Sequence, residues 1–310
     1  MAAFLTVTLN PALDLNTTVD RVVDAHKLRC GEPVIHPGGG GVNVARVLHR
    51  LGADVLALYT VGGATGERLS RLVVAEGVPS LYLPIGGETR ESFTVRETAT
   101  GHEYRFVLPG PTLNDTEWQA ALDRVATLPS VPRCIVASGG LAPGVPDDFY
   151  ARLARLARAR GARLVLDTAG PPLAEALREG AWIVKPSLRE LSDLVGRPLA
   201  TAQAREAAAR ALVDSGQAEA VALSLGPEGA LLATAEGVFR AKRVDVAVAG
   251  TVGAGDSFLA GLVWARDQDS PWPEALRTAV AAGTAALIRP GTELARPADI
   301  EALRGRVEVE

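Results

Sequence analysis

Six short apolar runs, FLTVTL, DVLALYTV, RCIVAS, RLVLD, WIVK and AVALSL, recur along the chain, and helix-period segments such as VNVARVLHRLG, TGERLSRLVVAEG and DDFYARLARLARARG separate many of them. The runs are apolar at almost every position, so neither face of such a strand can meet water and helices must cover both. This alternation predicts an α/β chain built on a mostly parallel sheet between two helical layers. Ligands of such sheets collect at the carboxyl ends of the strands. Asn10, Ser138, Asp167, Lys185 and Ser224 end or follow these runs and are expected along one rim.

Two stretches break the rhythm. Residues near 14–36 and 88–108, the latter ending ESFTVRETATGHEYRFVL, alternate apolar and polar like exposed antiparallel strands, with Thr100-Gly101 as a hairpin signal. They read as a small β lid inserted into one domain spanning 1–310; plain edge strands of the main sheet are the competing reading. A small two-faced sheet needs a cover for its apolar side, and lid-to-lid homodimerisation would supply one.

Composition removes several function classes. A net charge of −4 gives no broad cationic surface for nucleic acid, so any phosphate site must be local. Cys30 and Cys134 are too isolated for a disulfide framework or a zinc site, and His26, His36, His49 and His102 lack metal-ligand spacing. The amino-terminal MAAFLTVTLNPALDL reads as a buried strand rather than a leader, and no apolar run reaches the ~20 residues that span a bilayer. A cytoplasmic protein with no membrane partner is expected.

Thr251-Val252-Gly253-Ala254-Gly255-Asp256-Ser257 sets a small-residue turn and one carboxylate before the apolar run FLAGLVWA. The amides of Gly253, Ala254 and Gly255 would form the unpaired first turn of a buried helix, which attracts anions. Asp256 beside such a cradle suits a base for a hydroxyl proton. A tight turn with a capping Asp is the plainer reading. A second cluster, Pro37-Gly38-Gly39-Gly40-Gly41-Val42-Asn43, also opens a helix, and Asn43 with Asp14 suits a ligand rich in hydroxyls. Arg90 and Arg105 on one lid segment, with Lys27 and Arg29 on the other, suggest a phosphorylated sugar, because arginine grips phosphate through paired hydrogen bonds. Solvated edge-strand charges are the alternative. Toward a nucleotide, Lys185-Pro186-Ser187-Leu188-Arg189-Glu190 ends a strand and opens a helix, and Ser224-Leu225-Gly226-Pro227-Glu228-Gly229 makes a turn between strands. Glu190 could hold Mg²⁺ through water or be an ordinary exposed glutamate. Neither GxxxxGK[ST] nor a correctly placed GxGxxG occurs.

GGGGVNVAR with GGATGERL, and TVGAGDSFLAGL, resemble the two signature regions of the ribokinase-like, PfkB-type carbohydrate kinases. KLRC, EYRFVLPG, VKP and SLGPEGAL place the chain nearest the bacterial 6-phosphofructokinase branch, and the resemblance runs essentially end to end. It implies a three-layer α/β/α domain with a dimerising β lid, and transfer of the ATP γ-phosphoryl to a sugar hydroxyl with Asp256 as base over the Gly253, Ala254 and Gly255 amides. Carried over by position, Asp14, Gly39, Gly40, Asn43 and Ser138 would hold the sugar, Arg90 and Arg105 its phosphate, and Lys27 and Arg29 would reach across a dimer. Lys27 also resembles a residue of a regulatory ATP site in that branch. The nucleotide would lie on Lys185, Ser187, Ser224, Gly226, Gly229, Thr251, Gly253, Gly255 and Gly283, with Mg²⁺ at Glu190. K⁺ would rest on backbone carbonyls near Gly250, Val252, Ala286 and Gly291. Three positions depart from the family pattern. Ser-Gly-Ser becomes Ser138-Gly139-Gly140, leaving only the Gly140 amide for phosphate; Asn-x-x-Glu begins at Ser187; and the acidic residue before Thr251 is Gly250. Tagatose-6-phosphate kinase and 1-phosphofructokinase are the nearest alternatives, and those relatives usually carry Lys where this chain has Gly40. A non-catalytic sugar-phosphate sensor is the alternative from another class.

Overall fold

The computed structural model describes residues 2–310. In chain order the strands are β1 (Phe4–Thr8), β2 (Ala12–Val19), β3 (Val34–Gly38), β4 (Val55–Val61), β5 (Ser80–Pro84), β6 (Arg90–Glu97), β7 (Glu103–Val107), β8 (Cys134–Ser138), β9 (Arg163–Asp167), β10 (Ala181–Val184), β11 (Ala218–Ser224), β12 (Ala230–Thr234) and β13 (Gly237–Ala241). The helices are α1 (Gly40–Arg50), α2 (Gly63–Ala75), α3 (Asp115–Ala126), α4 (Phe149–Arg160), α5 (Gly170–Leu177), α6 (Leu188–Leu194), α7 (Ala202–Asp214), α8 (Ala254–Asp267), α9 (Trp272–Leu287) and α10 (Pro297–Arg304). All six apolar runs are strands of one nine-stranded sheet, ordered β13-β12-β11-β10-β9-β8-β1-β4-β5, parallel except where β12 and β13 fold back.

The period-2 pleat divides each central strand between two cores. Phe4, Val136, Ile183 and Ala222 point into a core built with α1, α2, α8, α9 and α10, whereas Leu5, Ile135, Val184 and Leu223 point into one built with α3, α4, α5 and α7. The expected three-layer α/β/α arrangement is therefore present, with an apolar strand as the dividing wall at each step. Helices α8 and α9 approach closely because they meet through small residues: a Cβ added to Gly261 would lie 2.8 Å from the Ala282 Cβ.

A second sheet of four strands, ordered β3-β2-β6-β7, sits over the carboxyl ends of the first. It departs from the sequence reading in two respects. Its central pair, β2 and β6, is parallel, and only β2–β3 and β6–β7 are antiparallel. The reason is topological: between β3 and β6 the chain runs through α1, β4, α2 and β5 of the main domain, so β6 returns by a crossover rather than a hairpin. The polar side of the sheet is also buried, not solvated, with Asp14, Asn16, Ser92 and Thr94 all turned inward. The opposite side carries Phe93, Val95 and Tyr104, all half-buried, and Phe106, 55% exposed. Residues 20–33, which hold Lys27 and Arg29, form no strand and lie exposed.

The β6–β7 hairpin grips the main domain beyond the cavity. Glu103 accepts both the Thr251 backbone N–H (3.2 Å) and its hydroxyl (2.6 Å). The Arg96 guanidinium donates to the carbonyls of Val248 and Ala249.

Candidate active site

The loop before α8 turns through Gly253 at φ +77, a left-handed conformation that a side chain would strain, and α8 begins at Ala254 with no side chain capping it. Its first amides are thus left for a ligand. This first turn is a partition. On one side lies a polar cavity of about 400 Å³ lined by Asp14, Asn43, Arg90, Arg105, Asp167 and Asp256, with Gly39, Gly40, Ser138 and Gly140 on its walls and Gly253 at its edge. On the other lies a largely apolar cavity of about 340 Å³ bounded by Ser224, Gly226, Gly229, Thr251, Ala254, Gly255 and Gly283. No residue lines both.

Asp256 stands on the polar side. Its Oδ2 accepts a 2.8 Å hydrogen bond from the Asn43 side-chain amide. Burial, reinforced by the nearby Asp167 charge, pushes its carboxyl up to about 6, with Asn43, Lys185 and Arg105 opposing the rise. A carboxylate held near neutrality is suited to taking a proton. Asp14, on β2, is raised by burial and receives the Thr292 hydroxyl at 3.0 Å, and Arg105 and Arg90 work against the rise. The Arg90 guanidinium is tied to the carbonyls of Asn10 and Leu108, which aims it across the cavity mouth. The glycines are dictated by crowding: a Cβ on Gly40 would sit 2.2 Å from the Ser138 Oγ, and one on Gly38 would sit 2.3 Å from the Asp14 carboxylate. Around Gly140 the space is open.

A helix N-terminus dividing a carboxylate-and-arginine cavity from an apolar one has the form expected for two ligands brought together at one carboxylate. The family comparison agrees: residues 7–299 match the pfkB family carbohydrate kinase model. The chain belongs to the pfkB carbohydrate kinase family. The ATP-dependent 6-phosphofructokinase isozyme 2 of Mycobacterium tuberculosis is 43% identical over 297 residues, covering 96% of this chain and 87% of that protein. A crystal structure of Escherichia coli phosphofructokinase-2 with substrates and products superposes with TM-score 0.94 at 36% identity, covering 98% of this chain and 99% of that one. A second structure of the same enzyme, in complex with potassium, gives 0.93 at 37% identity and 99% coverage of both chains.

Within this pfkB-family site several expected nucleotide residues gather and others do not. Lys185 and Ser187 lie outside the apolar cavity. Lys185 is buried in an ion pair, its Nζ 2.9 Å from Asp167. Burial works against its charge, but Asp167 more than offsets this and leaves the ammonium held above its ordinary range. The Ser187 hydroxyl accepts the Glu190 N–H, and the Glu190 carboxylate accepts the Ser187 N–H at 2.7 Å, a reciprocal cap on α6. Glu190 nonetheless lines the polar cavity with Asp167 and Asp256. Lys27 and Arg29 line neither cavity. The loops holding Gly250 and Gly291 do meet: a Cβ on Gly250 would lie 3.1 Å from the Arg289 carbonyl and 3.5 Å from that of Gly291. The Ala286 carbonyl is already engaged by the Arg289 N–H at 3.1 Å, and Val252 is buried.

The sequence places Asp167 on the ligand rim without a partner and gives no role to Thr292, Arg243 or Phe258. Asp167 carried a signal, as the polar end of an otherwise apolar strand on the ligand rim, and it here anchors Lys185 and accepts the Ser138 hydroxyl at 3.2 Å. Arg243 and Phe258 line the apolar cavity with no motif to announce them.

Proposed function

We propose that this chain is an ATP-dependent 6-phosphofructokinase that moves the γ-phosphoryl of ATP to the free primary hydroxyl of fructose 6-phosphate. One observation carries the reading: the first turn of α8 puts unpaired amides and a near-neutral carboxylate on the boundary between the two cavities. ATP lies in the apolar cavity along Ser224, Gly226, Gly229, Thr251 and Gly283. The sugar lies in the polar one, its hydroxyls on Asp14, Asn43 and the Gly39–Gly40 backbone, its phosphate on Arg90, Arg105 and the Gly140 amide. Asp256 accepts the hydroxyl proton as phosphorus is attacked in line, and the Gly253, Ala254 and Gly255 amides neutralise the charge that develops. Lys185, paired with Asp167, keeps a positive charge behind that turn.

Among the described residues no trio of His, Cys, Asp or Glu lies close enough to cage a metal. A Mg²⁺ that keeps most of its water and enters with the nucleotide phosphates fits this better than a resident one, and Glu190 is the carboxylate placed to hold its waters. Bound there, it would neutralise phosphate charge. The juxtaposed carbonyls near Gly250 and Gly291 fit a dehydrated monovalent cation, and we assign K⁺ to them. The exposed apolar face of the small sheet favours a homodimer through that face, which would carry Lys27 and Arg29 toward the second copy. No helix among the described residues is long and apolar enough to cross a membrane.

A panel of fructose 6-phosphate, tagatose 6-phosphate and fructose 1-phosphate in a coupled ADP assay tests the assignment. Fructose 6-phosphate should have the highest kcat/KM, and equal efficiency on either rival would overturn the name. Arg105→Ala should raise KM for fructose 6-phosphate about 10- to 100-fold, the worth of a charge-assisted hydrogen bond, with KM for ATP unchanged. Gly229→Ala should do the reverse. Its φ is +102, and an added Cβ would lie 2.1 Å from the Ala241 carbonyl and 2.9 Å from the Arg243 N, both backbone atoms. The strain of roughly 1–3 kcal/mol should appear as weaker ATP binding in titration calorimetry.

A further inference from the structure

We infer that Arg46 and Glu76, neither of which lines the cavity, fix the orientation of the Asn43 amide and thereby the aim and basicity of Asp256. This rests on the reading of Asp256 as the base. An amide side chain has a donor end and an acceptor end, and either could face the carboxylate unless something chooses between them. Arg46 makes the choice. Its NH1 donates to the Asn43 Oδ1 at 3.2 Å and to the Pro37 carbonyl at 2.9 Å. A guanidinium has only donors, so Asn43 must present its oxygen to Arg46, and its NH₂ is left to point at the Asp256 Oδ2.

Arg46 is 1% exposed and is held from behind by Glu76, at the end of α2. Glu76 Oε1 accepts the Arg46 Nε at 2.8 Å and lies 2.6 Å from its NH2, while Oε2 takes the Arg50 NH2 at 2.7 Å. Burial pushes the Glu76 carboxyl up, but the two guanidiniums more than offset this and keep it ionised. Arg50 also donates to the Glu293 carbonyl at 2.6 Å, next to Thr292, whose hydroxyl is on Asp14. One half-buried carboxylate thus braces the partners of Asp256 and of Asp14. With Arg46 gone, the amide could turn its oxygen to Asp256, exchanging an attraction for a repulsion.

Several other charged groups face Asp256 or its cavity: Asp167 ending β9, Lys185 after β10, Arg105 on β7, Arg90 on β6, Asp14 on β2 and Glu190 on α6. None is bonded to Arg46 or Glu76. The test is the pH dependence of kcat for wild type, Arg46→Met, Arg46→Lys, Glu76→Gln and Asp256→Asn. Arg46→Met should move the acidic limb up by about one unit, the scale of one hydrogen bond to a charge, and lower kcat about 10- to 100-fold with KM for ATP unchanged. Arg46→Lys keeps the charge but cannot hold Pro37, Asn43 and Glu76 together, and should shift the limb in the same direction. Glu76→Gln, nearly isosteric, should give a smaller shift and serves alone if Arg46→Met does not fold. An unmoved limb in folded Arg46→Met, or in Glu76→Gln, overturns the inference, as does a wild-type profile for Arg46→Lys, which would mean that charge alone matters. Asp256→Asn should lower kcat by about 10²- to 10⁴-fold and remove the limb. If it keeps the wild-type kcat and limb, the base assignment falls and the inference with it; if it shows both changes while the Arg46 variants keep the wild-type limb, only the inference falls.

Discussion

Asp256→Asn should lower kcat by about 10²- to 10⁴-fold, the usual worth of a general base, while leaving KM for both substrates within a few-fold. The same variant should be more stable than wild type near pH 8. The folded Asp256 carboxyl is pushed up to about 6 from an ordinary 3.8, so its protonated form favours the fold below the lower value, and that contribution is lost as pH rises through about 6. Asparagine removes the charge and keeps an oxygen for the Asn43 amide. Because the residue borders an open cavity, the gain should be modest, on the order of 1 kcal/mol by urea denaturation. An inactive variant less stable than wild type at pH 8 would mean that the carboxylate is a structural element, not a strained catalytic one.

The largest loss of stability is expected from Lys185→Met. Lys185 and Asp167 form a buried pair, with side chains 7% and 14% exposed, and removing one partner strands the other charge. Such losses run to about 3–5 kcal/mol. They should depend on pH in a definite sense. Burial already raises the Asp167 carboxyl, and without the ammonium it would rise further. A raised folded pKa favours the fold below the ordinary carboxylate range and loses that contribution as pH rises. Chemical denaturation should therefore find the variant nearest wild type around pH 4 and furthest from it near pH 8. A deficit that did not change with pH would assign Lys185 to packing alone.

The main sheet was legible because its signal is local: a strand buried on both faces must be apolar throughout, and each such run needs only its own residues to declare itself. The small sheet was harder to read. Its strands announced themselves by alternation, but the parallel pairing of β2 with β6 depends on a crossover through the main domain, and the burial of its polar face depends on what lies beneath it. The site divided along the same line. Asp14, Asn43, Asp256 and the two arginines sit in or beside motifs, and all five line one cavity. Lys185 had a motif too, yet its partner Asp167 lies on the neighbouring strand, so its ion pair could not be read from VKPSLRE. Glu76 lies well beyond the glycine cluster it supports, just past the end of a helix whose pattern requires only that its outer face be polar.

The two cavities have no residue in common, although one helical turn closes both. Inheritance can therefore treat them separately. Substitutions at Gly140 or the arginines can retune the acceptor without disturbing the donor, and drift at Arg243 or Phe258 leaves the acceptor alone. Only the few residues of the turn itself are answerable to both ligands. A lineage built on this plan should conserve that turn while its sugar preference wanders.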